Sequence, residues 1–192
     1  VRNDRVIWAS CMVACGDADG AVTGNTRRFG ASLDKIKQVV KARPGEIMFG
    51  LNLVVHKGKT IFVGDTSVHE YPNADQLAQI AISSARVVRL FGFDPKVAFV
   101  SHSTFGQPLT SRTKHIKDAV EILKIKNVNF EFDGDMQPDV ALDEEYKNLY
   151  PFSKIVGNAN ILVMPGQHSA AISYKMMKTL GDTKVIGPLL IG

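Results

Sequence analysis

The 192-residue sequence has only two cysteines, one tryptophan and no long apolar run. No uninterrupted apolar stretch reaches the roughly 18 residues that a membrane-spanning helix needs. The start at Val1 has neither the cationic segment nor the apolar segment of a signal peptide. We therefore expect a soluble, cytoplasmic protein with no membrane partner.

The few cysteines and histidines argue against a metal site. Cys11 and Cys15 lie four residues apart in a predicted helix, where they share a face but where disulfide geometry is difficult to reach. Buried cysteines commonly behave as small hydrophobic residues. The five histidines form no HxH, CxxC or HExxH pattern. The sequence thus predicts no bound metal.

The charge pattern lacks a cationic cluster. The net charge of +4 is spread along the chain, and 45% of the residues are hydrophobic. Nucleic-acid-binding proteins usually concentrate their cations on one face or carry a known reading motif. We therefore expect an ordinary globular chain, long enough to bury roughly 70% of its unfolded surface, with no nucleic-acid partner.

Short apolar runs punctuated by Gly, Pro, Ser or Asp predict strands at 47–55, 60–65, 96–103 and 160–165. The last two runs do not alternate with polar residues, which is typical of strands buried on both faces in a parallel sheet. Helical periodicity separates the runs. The predicted helices cover 5–15, 32–41, 73–91, 111–125 and 170–180, and a short strand is predicted at 21–23. The fold class is therefore α/β, a largely parallel sheet with helices on both faces.

Ligands of such sheets bind where parallel strands end. Four candidate loops, 23–28, 64–67, 101–106 and 165–169, are rich in glycine and hydroxyl residues. Backbone N–H groups and hydroxyls of this kind can bind phosphate or carboxylate. The alternative is that loops favour these residues for conformational reasons alone.

The helix predicted from Ser111 carries positive charge at its beginning. Cations there are unfavourable against the helix dipole, and a bound anion would relieve that cost. Alternatively, the long side chains extend into solvent, which screens the charge. The side chains concerned are Arg112, Lys114, His115 and Lys117.

Aspartates beside glycines give no catalytic pattern. Asp17, Asp19, Asp65, Asp133 and Asp135 all have turn-like neighbours, a context in which Asp is common for backbone reasons. No nucleophile elbow or glycine-rich phosphate loop is present. The residues alone leave the function open.

Seven segments in order resemble the phosphate acetyl- and butyryltransferases: GDADGAVTGNTRR, FVGDTSVHEYPNADQLAQIA, FGFDPKVAFVSHSTFG, FDGDMQPDVAL, GNANILVMP, ISYKMM and GPLLIG. Within that family, SHSTFG, DGDMQPDVAL and ANILVMP look closest to the phosphotransacetylase-like domain at the C-terminus of bacterial NADP-dependent malic enzymes. Because GPLLIG resembles a strand whose helix does not follow, we expect a fragment.

The resemblance implies a phosphotransacetylase-like (isopropylmalate dehydrogenase-like) architecture of two lobes with a cleft between them, here incomplete. Residues 1–45 would be part of the first lobe and a crossover, 46–165 the second lobe, and 166–192 a truncated return to the first. The cleft would hold acetyl-CoA or phosphate. The residues implied are Thr23, Asn25, Thr26, Arg27, Arg28, Asp65, Thr66, Ser101, Ser103, Thr104, Gln167, His168 and Lys175.

Departures from the family pattern imply that this chain has no catalytic residue of its own. Active transferases tend to have SGACHST where this sequence has TGNTRRF, so Thr26 stands at the position of their cysteine. Thr179 stands where they have an arginine. Their Ser-Arg pair and catalytic aspartate follow the strand that ends here at Gly192. Fixed cations position phosphate for attack, so their loss argues against transferase activity.

Three functions remain as expectations. The first is a regulatory domain of an NADP-dependent malic enzyme that senses acetyl-CoA, forms a homo-oligomer and is joined in cis to the malic-enzyme region. That region would oxidise and decarboxylate malate to pyruvate with NADP and Mg²⁺ or Mn²⁺, while this chain binds no cofactor. The second is a fragment of an active phosphate acetyltransferase, and the third is a dimerisation module that binds no small molecule.

Overall fold

The computed structural model describes residues 3–24 and 26–192, and the side chain of Arg112 lies outside the description, as does Asn25. The chain forms two compact units, Val1–Gly45 and Glu46–Gly192. Within the described residues, no helix combines the length and the apolarity that crossing a bilayer requires.

The first unit contains two helices, α1 (Arg5–Cys15) and α2 (Phe29–Val39). The carboxylate of Asp4 accepts hydrogen bonds from the backbone N–H groups of Val6 and Ile7, which caps α1. Lys35 of α2 donates to the same carboxylate and is the main cause that lowers the pKa of Asp4 to about 2. One carboxylate therefore caps the first helix and ties it to the second.

The strand predicted at 21–23 is wrong. These residues have no regular secondary structure and are exposed, and the described part of this unit offers no sheet edge with which they could pair. Apolar character in three residues does not make a strand without a partner.

The second unit is built on a six-stranded sheet with the order β4-β3-β5-β2-β1-β6. β2 is parallel to β5, β5 to β3 and β3 to β4, whereas β1 is antiparallel to both β2 and β6. β1 is thus the reversed strand among those described, and the predicted largely parallel α/β sheet is confirmed. The strands are β1 (Phe49–His56), β2 (Lys59–Gly64), β3 (Lys96–Val100), β4 (Glu131–Met136), β5 (Ile161–Val163) and β6 (Thr183–Ile191).

Helices cover both faces of this sheet. One apolar core joins Phe62, Phe99 and Ile161 to α3 and α4. The other joins Val63 and Leu162 to α5 and α7. Neighbouring residues of β2 and β5 therefore face different cores. Both faces of these strands are buried, which explains their continuous apolar runs. The helices of this unit are α3 (Ala74–Leu90), α4 (Ser111–Ile125), α5 (Pro138–Leu142), α6 (Glu144–Lys147) and α7 (Gln167–Leu180).

β4 corrects the interpretation of Asp133 and Asp135 as turn residues. Both carboxylates are buried in an edge strand parallel to β3. Asp133 accepts hydrogen bonds from the backbone N–H groups of Gly134 and Lys154, and Asp135 accepts one from Gly106. Because these backbone donors satisfy the charge, the strand tolerates aspartates, which strands usually disfavour.

Residues 166–192 are joined to the second unit through β6. They lie in the same compact unit as residues 46–165. The reason is that β6 pairs with β1 along nearly its whole length, from Thr183 opposite His56 to Ile191 opposite Phe49.

We predict that Gly134→Ala destabilises the second unit. Gly134 has a φ of +151°, and an added Cβ would lie 2.7 Å from the Cβ of Phe99 and 2.8 Å from its carbonyl oxygen. Overpacking of this kind costs about 1–3 kcal/mol, and backbone strain adds to that cost. Urea denaturation measures the loss.

Gly58→Ala is the matched control. Gly58 also has a left-handed φ, of +78°, but nothing lies within 4 Å of its added Cβ. Only the conformational cost of about 1–2 kcal/mol applies there. A Gly134→Ala protein as stable as the control would contradict the close packing against Phe99.

Candidate functional site

Three of the four predicted loops meet at one edge of the sheet. Gly64 of β2 and Phe99 of β3 are both in register with Val163 of β5. Since these strands are parallel, the loops that follow them emerge on the same side. The fourth loop, 23–28, lies in the other compact unit and follows no described strand.

A cleft of about 690 Å³ opens at this edge. Its walls come from the segment after β2, the end of β3, the beginning of α4, the residue that begins α5 and the β5–α7 connection. The volume lies within the range of roughly 300–1,000 Å³ that is usual for small-molecule sites. The lining residues are Glu70, Tyr71, Pro72, Asn73, Val100, Ser101, His102, Thr113, His115, Ile116, Pro138, Met164, Pro165, Gly166, His168 and Ser169.

Close backbone packing shapes one wall of the cleft. An added Cβ on Gly166 would lie 2.3 Å from the carbonyl oxygen of Glu70. The absence of a side chain at Gly166 therefore lets α7 begin directly beside the segment that follows β2. Nearby, His168 Nε2 lies 2.8 Å from Glu70 Oε1 and bridges the same two segments.

Two of the predicted site residues, Ser101 and His168, line the cleft. Ser103 and Thr104 lie behind its surface: Ser103 is fully buried, and the hydroxyl of Thr104 accepts a hydrogen bond from the backbone N–H of Gln137. The hydroxyls of these two residues serve the loop itself.

Asp65 and Thr66 form hydrogen bonds within the protein at this edge of the sheet. Asp65 is fully buried and accepts hydrogen bonds from the backbone N–H groups of Gly50, Ser67, Val68 and His69. The His69 ring nitrogen Nδ1 lies 2.7 Å from Asp65 Oδ2. Thr66 donates to the carbonyl oxygen of Gly50. Their side chains stabilise the β2 loop and are absent from the cleft lining.

The remaining predicted site residues do not line the cleft. Gln167 is half-buried and donates its backbone N–H to the carbonyl oxygen of His69, and Lys175 is exposed on α7. In the first unit, the exposed Arg27 lies 3.6 Å from Asp4. Thr23, Thr26 and Arg28 are also exposed, and Asn25 lies outside the described residues.

Several lining residues were missed from the sequence. The sequence pattern predicts Asn73 only as the beginning of a helix, and it does not single out Tyr71, Pro72 or His102. His115 was grouped with the cations of α4, but Lys114 and Lys117 are exposed while His115 lines the cleft. The useful signal would have been the position of aromatic and histidine residues after each parallel strand.

The described lining of the cleft has few charges. Among its described lining residues there is neither arginine nor lysine, and the carboxylate of Glu70 is paired with His168. Three histidines line it, yet the described residues contain no group of three His, Cys, Asp or Glu side chains that could hold a metal ion. Apolar walls with a few neutral polar groups are suited to binding and orienting a ligand.

Comparison with known proteins identifies relatives along the whole chain. The family described as Phosphate acetyl/butaryl transferase matches residues 1–192. The chain is 43% identical to the NADP-dependent malic enzyme of Rhizobium meliloti over 100% of its own length and 25% of that enzyme. It is 34% identical to the phosphate acetyltransferase of Clostridium acetobutylicum over 98% of its own length and 60% of that protein.

The fold is also similar to that of solved phosphotransacetylases. A phosphotransacetylase from Streptococcus pyogenes superposes with a TM-score of 0.87 at 30% identity, covering 97% of this chain and 58% of that one. The chain thus spans about a quarter of this malic enzyme and somewhat more than half of these two transferases.

We predict that Asp65→Asn destabilises the protein in a pH-dependent way. Burial acts to raise the pKa of Asp65, but hydrogen bonds from His69, Ser67 and Gly50 outweigh it and hold this pKa below its ordinary value. Losing hydrogen bonds to a charged group costs roughly 1.5–3 kcal/mol. The stabilisation is complete above the unfolded pKa of about 3.9 and is lost as the pH falls through the lowered folded pKa.

Urea denaturation between pH 7 and pH 3 measures this effect. The stability difference between the wild type and Asp65→Asn should be constant near neutral pH and should narrow below about pH 4. Asp118→Asn, at an exposed position of α4, is the control and should change stability by no more than about 0.5 kcal/mol. A difference that persists undiminished at low pH would show that the charge of Asp65 is not what stabilises the loop.

Proposed function

The chain belongs to the Phosphate acetyl/butaryl transferase family, which matches all 192 residues, and from this premise we propose that it is a regulatory and oligomerisation domain of an NADP-dependent malic enzyme. In this proposal its cleft binds acetyl-CoA. Malate is oxidatively decarboxylated to pyruvate and CO₂ in a region joined in cis, with NADP and Mg²⁺ or Mn²⁺, in the cytoplasm. The support comes from the relatives, from the cleft and from the surface of α7.

The malic-enzyme relatives support the assignment of the whole protein. Besides the relative from Rhizobium meliloti, the NADP-dependent malic enzyme of Escherichia coli matches 100% of this chain at 34% identity, again over about a quarter of its own length. A segment that makes up a quarter of a much longer enzyme is large enough to be a separate domain.

The observation that carries the proposed binding role is a ligand-sized cleft whose described lining contains no fixed cation. Acetyl transfer to phosphate requires donors that position the anion and stabilise charge during attack, and arginines usually supply them. The described lining contains neither arginine nor lysine. The resemblance places Thr179 where the family has an arginine, but Thr179 is exposed on α7 and does not line the cleft, so this replacement does not alter the charge of the cleft. The described lining therefore supports a cleft that recognises a ligand, while the side chain of Arg112 at the start of α4 lies outside the description.

Apolar side chains on α7 support a role in oligomerisation. Ile172, Met176 and Leu180 follow one another at intervals of four residues and are 59%, 54% and 80% exposed. Residues four apart share a helix face. Ile186 of β6, the strand that follows α7, is 55% exposed as well. Association of like subunits through such a stripe would remove it from water.

We predict that acetyl-CoA binds to the complete protein and alters its malate turnover. The binding of the two ligands is coupled. Malate must therefore change the affinity for acetyl-CoA by the same factor as acetyl-CoA changes the affinity for malate, typically about 5- to 150-fold. Calorimetric titration of acetyl-CoA, with and without malate, and parallel measurement of NADPH formation check this expectation. Binding without any effect on turnover or malate affinity would refute the regulatory role.

A bulky substitution assigns the effect to the cleft. His102 is exposed and lines the cleft, so His102→Trp should obstruct it while the fold is preserved. Lys126→Trp, at the exposed end of α4, is the matched control. We expect at least a 10-fold loss of acetyl-CoA affinity in the first variant only, which corresponds to about 1.4 kcal/mol.

The alternative function is a segment of an active phosphate acetyltransferase. The relative from Clostridium acetobutylicum, of which this chain spans 60%, favours it. In that case the complete protein would release CoA thiol from acetyl-CoA in a phosphate-dependent reaction. Thiol release at enzymatic rates would replace the proposed regulatory role, whereas its absence together with acetyl-CoA binding would support that role. If no small molecule binds, the domain serves association alone.

A further inference from the structure

A chain of three side chains runs from the cleft into the protein. Ser101 lines the cleft, and its Oγ lies 3.1 Å from the Oγ of Ser103. Ser103 in turn donates its hydroxyl proton to Oδ2 of Asp135. Ser101, Ser103 and Asp135 are 7%, 0% and 2% exposed. A buried carboxylate is thus connected through two hydroxyls to the surface of the cleft.

The direction of these hydrogen bonds follows from counting protons. A serine hydroxyl has one proton to donate and two lone pairs that accept. Ser103 gives its proton to Asp135, so in the contact between the two serines the donor is Ser101. The Oγ of Ser101 also accepts the backbone N–H of Ser103 at 3.3 Å. One lone pair of Ser101 then remains, and no proton.

Asp135 keeps this direction fixed. Its second oxygen, Oδ1, accepts the backbone N–H of Gly106 at 3.0 Å, and its backbone carbonyl accepts the N–H of Phe105 at 2.6 Å. The carboxylate is therefore held on both sides and can only accept. Asp135 and Ser103 act as positioning residues, because they determine how the hydroxyl of Ser101 is oriented.

We infer that Ser101 presents a hydrogen-bond acceptor to the cleft, and that the part of the ligand against it is a neutral donor, an amide N–H or a hydroxyl. This inference rests on the proposed function, and it assigns the pantetheine portion of acetyl-CoA, which carries two amide N–H groups, to the Ser101 wall. A phosphate there would meet a lone pair backed by a buried carboxylate. Ser101 would therefore accept a hydrogen bond from the ligand, whereas a hydroxyl-rich loop suggests a hydroxyl that donates one to an anion.

Titration of the complete protein with pantetheine and, separately, with inorganic phosphate tests the inference. Ser101→Ala removes the acceptor and should weaken pantetheine binding by about 3- to 10-fold, the usual value of one hydrogen bond, while phosphate affinity should not fall. Equal pantetheine affinity in the wild type and Ser101→Ala would overturn the inference, as would weaker phosphate binding in the variant.

Asp135→Asn tests the polarity of the chain. The asparagine oxygen can still accept the N–H of Gly106, but its NH₂ group now donates to Ser103, so that Ser103 donates to Ser101 and the proton of Ser101 turns to the cleft. We expect weaker pantetheine binding and stronger phosphate binding, an exchange of preference that mere loss of structure cannot produce. A parallel loss of both affinities in a folded variant would overturn the inference.

Ser103→Ala provides the second variant in case Asp135→Asn does not fold. It breaks the chain at a position where only one hydroxyl is lost, and the freed proton of Ser101 should again improve phosphate binding relative to pantetheine. An unchanged ratio of the two affinities would count against the inference. If the wild type binds acetyl-CoA and pantetheine but Ser101→Ala binds pantetheine equally well, only this inference fails, whereas a wild type that binds neither ligand refutes the proposed function as well.

Discussion

The cleft depends on buried carboxylates at the carboxyl edge of the sheet. Asp65 follows β2 and accepts the N–H groups of the next loop, and Asp135 near the end of β4 does the same for the loop after β3. A carboxylate away from water is costly unless hydrogen bonds compensate it, so each charge binds its loop in one conformation. Two irregular segments thereby become fixed walls. The apolar sheet positions the two loops, and the two carboxylates fix the loop conformations that shape the cleft.

The direction of the strands determines where the walls stand. Because β4, β3, β5 and β2 run in parallel, their connections gather at one edge, and the two apolar cores leave that edge as the open surface between α3 and α4 on one face and α5 and α7 on the other. The phosphotransacetylase from Streptococcus pyogenes has the same fold, and the malic-enzyme relative from Rhizobium meliloti matches this chain along its whole length. A shared fold does not determine the activity, which depends on the side chains of the site.

Much of the architecture was predictable because local rules and burial agreed. α4 has the predicted bounds, Ser111–Ile125, and the capping box of Asn73 and Gln76 is present at the beginning of α3. β4 was missed because its carboxylates are compensated by N–H groups from distant segments, which no local pattern reveals. The site was predicted less well for a related reason. The loops were identified, but whether a hydroxyl faces a ligand or serves its own loop depends on partners such as Asp135, which lies more than thirty residues from Ser103.

The connection between Gly166 and Glu70 has a thermodynamic consequence. Here the beginning of α7 touches the segment after β2 backbone to backbone, with no side chain between them that could change rotamer. A ligand that enters beside this contact finds a wall whose conformational entropy was already lost when the chain folded. Binding to such a preorganised surface retains more of its interaction free energy as affinity, so even a cleft with few charges can discriminate between small molecules of similar size.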